Sequence, residues 1–197
     1  MKGAFFVRGL SDISDLIEAH APMRGLLAAV ASLRLPDAWI GAGFVRNAVW
    51  DALHERAFAL ASLEDVDVVF FDPANPRAER DHTLQENLGR LHPGPVWQVK
   101  NQARMHVRNG DGPYDGTADA IARWPETATA IAARLVGRRV EIMAPHGVDD
   151  LLALKVRPTP AFLGKMDIYR ERLARKNWAE RWPKLTFVDG PPAVTTP

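Results

Sequence analysis

Asp65 and Asp67 open an apolar run that continues Val68-Val69-Phe70-Phe71. In an extended segment, positions i and i+2 share a face, so the two carboxylates stand about 6–7 Å apart. At an effective dielectric near 20, their repulsion amounts to about 3 kcal/mol. A buried pair of this kind wants a cation. Mg²⁺ (or Mn²⁺) suits it, because such an ion takes one or two carboxylates and leaves room for substrate phosphates and water. Upstream, Gly41-Ala42-Gly43 joins a short apolar strand to a helix. A turn there presents backbone N–H groups at a helix N-terminus, where a phosphate can sit. Arg46 falls in the first turn of that helix, where a cation opposes the helix dipole unless it faces an anion or a carboxylate. Singly, these are a solvated strand start and an ordinary turn. Together they point to metal-assisted phosphoryl-type transfer, with Asp65 and Asp67 as metal ligands and catalytic carboxylates and with Gly41, Ala42, Gly43 and Arg46 around the phosphates.

A second polar array follows. Residues 96–107 alternate, with Gln98, Lys100, Gln102, Arg104, His106 and Arg108 on one face and Val99, Ala103, Met105 and Val107 on the other; Asn101 is the single polar exception. The pattern predicts one long strand. Its cationic face is either plain solvent exposure or, beside the carboxylates, a surface for phosphates or an acceptor through Lys100, Arg104 and His106.

The stretch Ala42-Gly43-Phe44-Val45-Arg46-Asn47 followed by Asp65-Val66-Asp67 resembles the nucleotidyltransferase superfamily that includes DNA polymerase β and the tRNA CCA-adding enzymes, whose pattern is Gly-Gly-x-Val-Arg-Asp and then Asp-x-Asp. More closely, the chain is similar to a family of small bacterial nucleotidyltransferase-like proteins, through VKNQARMH (99–106), WPETATA (124–130), APHGVDDL (144–151) and VRPTP (156–160). The resemblance runs from about residue 39 to 182 and names no substrate. It implies an α/β (α+β) fold, a mixed β-sheet flanked by helices in a single domain over 1–188, with antiparallel pairing of the first two strands. It also implies Mg²⁺-dependent transfer of a nucleoside monophosphate from a nucleoside triphosphate to an unknown acceptor: small molecule, RNA or protein. Superfamily members usually add a third acidic residue on a neighbouring strand, and Glu141 is the candidate. Were that position on the 96–107 strand instead, it would be Gln98 or Asn101, and the site would be weakened to a nucleotide- or RNA-binding module. Asn47 is a second departure, since the CCA-adding pattern has Asp there.

The elements that must position these groups read as follows. One or two helices span 11–35 with a break near Pro22 and a cap from Ser11 or Ser14. Strands run over 38–41 and 65–72, with a helix over 44–55 between them. A charged helix covers 75–91. Two helices meet at Trp124-Pro125, covering 117–124 and 125–136, and Trp124 reads as a core packer rather than a base-stacking platform. A strand spans 140–143, a helix 148–156 and a helix 162–182, and the Pro/Thr-rich tail 189–197 is expected to be disordered. A net charge of +1 argues against a polyelectrolyte binder, yet residues 155–184 hold nine Lys/Arg against three Asp/Glu. That excess reads as a solvated helix or as a basic flank for RNA or a triphosphate. The absence of cysteine excludes disulfides and thiolate metal sites and fits a reducing, cytoplasmic setting. The apolar start breaks at Arg8, so no signal peptide is read, and no apolar run is long enough to span a membrane. The six histidines show no zinc spacing, and neither a Gly-x-Ser-x-Gly elbow nor a Walker A or Rossmann glycine pattern is present.

Overall fold

The computed structural model describes residues 7–188; the expected tail of 189–197 and the chain start at 1–6 lie outside the described residues. The frame is a mixed five-stranded sheet: β1 (Trp39–Gly41), β2 (Val66–Phe70), β3 (Trp97–Asn101), β4 (Ala132–Val136) and β5 (Arg139–Met143), in the order β3-β2-β1-β4-β5. β1 runs antiparallel to both β2 and β4, β4 antiparallel to β5, and β2 parallel to β3. The expected antiparallel neighbours are therefore present, and the parallel pair β2–β3 is joined by the crossover helix such a pair requires.

One face of the sheet is apolar and carries the core. Ile40, Val66, Val68, Phe70, Val99 and Ala133 pack there beneath α1 (Leu10–Ala19), α2 (Ala21–Ser32), α3 (Gly43–Leu53) and α4 (Ala78–Leu91). The break between α1 and α2 falls at His20, whose ring accepts from the Met23 N–H and caps α2, with Pro22 in its first turn. Ser14 caps nothing; its hydroxyl donates to the Val140 carbonyl. The opposite face carries Trp39, Val69 and Ala132, covered near its middle by Ile121 of α6 (Thr117–Ala122) and by Trp124.

Both rims of the sheet are closed by side chains rather than further strands. Glu18 of α1 accepts from the Val140 N–H on β5. Asp81 and Gln85 of α4 accept from the Asn101 and Val99 N–H groups on β3. Each occupies edge N–H groups at which another chain could pair.

Three sequence expectations are corrected. The long strand over 96–107 ends at Asn101. The Asn101 side chain bonds the Asp72 N–H and carbonyl and accepts from the Ala103 N–H, which turns the chain into a 3₁₀ segment (Gln102–Arg104) and α5 (Met105–Asn109). The one polar break in the alternation was the turn signal. Residues 125–136 are not a helix. They form a turn, a bridge from Glu126 to Pro158, and then β4. The alanines there have high helix propensity, but Ala130 and Ala132 are buried with Trp39 and Trp124 on one face and Ala128 and Ala133 in the core on the other, so packing overrides propensity. Finally, the helix over 148–156 is only α7 (Asp149–Leu152), followed by β6 (Lys155–Val156), which pairs in parallel with β7 (Thr186–Phe187).

The helix expected over 162–182 begins as a 3₁₀ turn and continues as α8 (Met166–Lys176). It breaks at Asn177, which adopts a left-handed conformation with φ 49°, and resumes as α9 (Trp178–Arg181). Buried Tyr169, Trp178 and Trp182 anchor this tail. Both Trp178 and Trp182 meet Trp50 of α3 edge-on.

Candidate active site

The turn after β1 is forced into shape by packing. A Cβ on Gly41 would come within 2.5 Å of the Trp124 ring, so glycine is needed there for Trp124 to close over the strand. Ala42 then sits at φ 53°, ψ −121°, a conformation that favours glycine and that costs about 1–3 kcal/mol for other residues. Its N–H donates to the Ile131 carbonyl and its carbonyl accepts from the Arg46 N–H. α3 thus begins at Gly43 with no side chain capping it, and its first N–H groups are left for a ligand.

The register runs Trp39 against Val69 and Ile40 against Val68. This brings the turn to the end of β2 where Asp65 and Asp67 stand. These groups line one cleft of about 230 Å³ together with Ala42, Gly43, Arg46, Glu64, Arg172, Lys176 and Arg181. Asp67 is half-buried, and its carboxyl is pushed up to about 6 by loss of solvent and then by Asp65; Arg46, Arg172 and Lys176 act against the rise. Asp65 accepts from the Gln98 amide at 3.0 Å.

Arg46 is buried, with its guanidinium 4.3 Å from the centre of the Trp178 ring and 5.1 Å from that of Trp50, two rings that meet each other edge-on. It donates to Thr129 Oγ1 at 2.8 Å and twice to Asn47 Oδ1. Burial lowers its pKa to about 10, opposed chiefly by Glu126, so it remains a cation at neutral pH. The open alternative for this residue, a direct partnership with a nearby aspartate, is not what occurs: its hydrogen-bond partners are neutral.

The other cations come from the C-terminal helices. Arg172 is held by Glu126 at 2.7 Å, and Glu126 is fully buried. Lys176 pairs with Glu64 at 2.6 Å, which draws the Glu64 carboxyl below its usual range. Arg181 donates to the Ser62 carbonyl and hydroxyl and lies 3.5 Å from Asp51, which also accepts from the Trp182 indole. None of these was singled out from the sequence. Their signal was the basic excess over 155–184, together with the spacing of Arg172 and Lys176, which at i and i+4 share one helix face.

The remaining sequence candidates stand apart from the cleft lining. Arg104 forms a short ion pair with buried Asp81 on α4. It braces the β3 rim and does not lie on a strand face beside Asp65. The His106 ring packs edge-on against Tyr114 in α5 and its loop. Lys100 remains on β3, two residues beyond Gln98, which pairs in register with Asp67. Glu141 lies on β5, three strands from β2, about 14 Å across the sheet at normal strand spacing. It is bound by Arg134 at 2.7 Å. It is not the third carboxylate of this cleft, because the sheet order separates what the expectation had placed on a neighbouring strand. In register beside Asp67 stands Gln98, the weaker alternative noted above.

A family model described as Nucleotidyltransferase matches residues 28–187. The chain belongs to the nucleotidyltransferase family. Among solved structures, this nucleotidyltransferase family member is similar to a protein whose NMR structure is described as revealing a CCA-adding enzyme head domain. The identity is 34%, the TM-score is 0.84, and the match covers 94% of this chain and 99% of the other. The fold, a mixed sheet with flanking helices, is shared. It is also similar in fold to the Thermotoga maritima CCA-adding enzyme complexed with tRNA, at 16% identity and TM-score 0.56, over 92% of this chain. A CCA-adding enzyme in complex with CTP gives 16% identity and TM-score 0.55. The chain spans 42% and 43% of these two larger enzymes. No curated protein matches. Among the described residues no helix is long and apolar enough to cross a membrane.

The residues present fit a divalent ion of the Mg²⁺ kind. Two oxygen-donor carboxylates face one cleft, and the half-buried one resists ionisation because of lost solvent and the neighbouring Asp65. Among the described residues no cluster of three or more His, Cys, Asp or Glu forms a closed metal cage. An open two-carboxylate site suits an ion that completes its shell with phosphates and water.

Proposed function

We propose that this nucleotidyltransferase family member transfers a nucleoside monophosphate from a nucleoside triphosphate to an acceptor, with Mg²⁺ or Mn²⁺ held by Asp65 and Asp67. One observation carries the reading: the uncapped start of α3 and the two carboxylates of β2 share a single cleft walled by cations. The N–H groups after Ala42 suit the triphosphate, and Lys176, Arg172 and Arg181 supply neutralising charge along it. Lys176 keeps its pair with Glu64 at 2.6 Å and adds its charge to the wall from there. Arg172 is tethered through Glu126 and serves as a fixed cation. Arg46, packed against the Trp178 and Trp50 rings, holds the α3 turn and contributes positive potential from beneath. The metal, when bound, would polarise the reacting phosphate and stabilise the leaving pyrophosphate.

A second reading has a specific observation behind it. Gln98, beside Asp67, cannot take a proton, which favours a nucleotide-binding module without turnover. Pyrophosphate release, measured with each of the four ribonucleoside triphosphates and Mg²⁺, separates the two. Turnover that disappears on Asp67→Asn is the expected result. Tight nucleotide binding with no release under any condition supports the module.

A further inference from the structure

A nucleophilic hydroxyl loses its proton as it attacks, and a side-chain base within hydrogen-bond reach assists this by about 10²–10⁴-fold. The carboxylates lining the cleft, among the described residues, are Glu64, Asp65 and Asp67. Asp65 and Asp67 are committed to the metal in the reading above, and Glu64 is held in an ion pair by the Lys176 ammonium at 2.6 Å. Glu126 is bound by Arg172, and Asp51 by Arg181 and Trp182. No histidine lines the cleft among the described residues. The nearest group on the neighbouring strand is Gln98, an exposed amide in register with Asp67. Two residues on, and by strand alternation on the same face, is Lys100. Its ammonium makes no ion pair among the described residues and meets Asp81 only through longer-range attraction. The β3 rim therefore offers an amide and an uncommitted cation where a proton acceptor would otherwise stand.

We infer that the acceptor's nucleophile is an oxygen already anionic at neutral pH, that of a phosphate monoester or a carboxylate, received at the β3 rim by Gln98 and Lys100. The inference rests on the transfer reading of the same cleft. A phosphate monoester loses its second proton near pH 6 and a carboxylate ionises near pH 4, so neither needs a base. The acceptor oxygen forms a bond to the α-phosphorus while the bond from that phosphorus to the bridging oxygen of the β-phosphate breaks. Pyrophosphate leaves with the electron pair, and no proton is taken from the acceptor. The product is a mixed anhydride, either a nucleoside diphosphate ester or an acyl nucleotide. Gln98 donates a neutral hydrogen bond, and Lys100 neutralises the incoming charge.

The test supplies Mg²⁺ and a triphosphate with four acceptor probes in turn: glucose 1-phosphate, acetate, glycerol, and a short RNA with a free 3′-hydroxyl. Binding of the triphosphate is measured separately by calorimetry. Turnover with glucose 1-phosphate or with acetate supports the inference, and which of them works identifies the source of the oxyanion. Lys100→Ala is then expected to raise the acceptor KM about tenfold or more, with triphosphate affinity unchanged. Gln98→Glu is expected to lower kcat/KM for the anionic acceptor about tenfold or more, because it sets a like charge against it. Turnover confined to glycerol or RNA, or a gain of hydroxyl transfer in Gln98→Glu that leaves anion transfer intact, overturns the inference while leaving nucleotidyl transfer standing. Binding of the triphosphate with transfer to neither anion also overturns it. A protein that binds no triphosphate defeats the transfer reading instead, and calorimetry distinguishes that case.

Discussion

Asp67 sits in an environment that opposes its ionisation. Its folded-state pKa is raised from 3.8 to about 6 by burial and by Asp65. The unfolded chain releases this proton at lower pH than the folded one, so stability falls as pH rises from about 4 to about 6, and the penalty is complete above that window. Asp67→Asn removes the ionisation. Thermal melting without metal is expected to show the variant matching or exceeding the parent at pH 7, and losing part of the parent's decline between pH 4 and 6. A variant clearly less stable at pH 7 would instead mark Asp67 as half of a structural ion pair. Ala42 stores strain of a different kind. Its backbone, at φ 53° and ψ −121°, is one that glycine adopts freely. Ala42→Gly is expected to stabilise the fold by about 1 kcal/mol, a rise of about 2–4 °C in Tm, although glycine carries more entropy in the unfolded chain.

At the scale of elements, the β3 rim and the α8 helix exchange the roles that sequence alternation suggested. Arg104 belongs to the rim: with Asp81 it closes the outer edge of β3, and Asp81 also accepts from the Asn101 N–H. Arg104→Ala leaves a buried carboxylate short of its partner, so a loss of about 3 kcal/mol in urea denaturation is expected, with triphosphate affinity unaltered at low and high salt. A weakened affinity confined to low salt would return Arg104 to the phosphate site. Lys176 on α8 is the contrasting case. Its pair with Glu64 is exposed on the Glu64 side, and Lys176→Ala is expected to weaken triphosphate binding several-fold at low salt and less at high salt, because exposed charge attraction is screened over about 8–10 Å at physiological ionic strength. Fold stability should hardly change.

For the molecule as a whole, the cleft is built from segments far apart in the chain. β1 and β2 supply the floor, and α8 with α9 supplies the cationic wall. The tryptophans that seat the tail, Trp178 and Trp182, meet Trp50 of α3 at ring-centroid distances of 5.4 and 5.0 Å. A ligand in this cleft would bridge β1 and β2 to α8 and α9. A Mg²⁺-triphosphate complex at 100 times its Kd stabilises the folded state by about 2.7 kcal/mol. Differential scanning is expected to show a clear rise in Tm with triphosphate and Mg²⁺ together, and a smaller one when EDTA removes the metal. Equal shifts with and without EDTA would separate the nucleotide from the carboxylates.

The local parts of the site are legible in the order of residues. The glycine turn, the start of α3 and the Asp65–Asp67 pair are each written within a few residues, because backbone conformation and strand alternation act at that range. Antiparallel pairing of β1 with β2 came with the family resemblance. Other features were decided only by the tertiary structure. Glu141 and Gln98 are both polar residues on strands, and nothing local distinguishes them; the strand order β3-β2-β1-β4-β5 sets Gln98 beside Asp67 and Glu141 three strands away. Arg104 alternates correctly with Lys100, yet the side-chain hydrogen bonds of Asn101 end the strand between them. The alanines of β4 carry helix propensity, and the burial of Ala132 with Trp39 and Trp124 and of Ala133 in the core overrides it. The cations of the cleft wall read as an ordinary basic helix, since their role depends on where Trp178 and Trp182 dock against α3. Charge and propensity are properties of a segment, whereas the surface a segment faces is set by its contacts with residues distant in the chain.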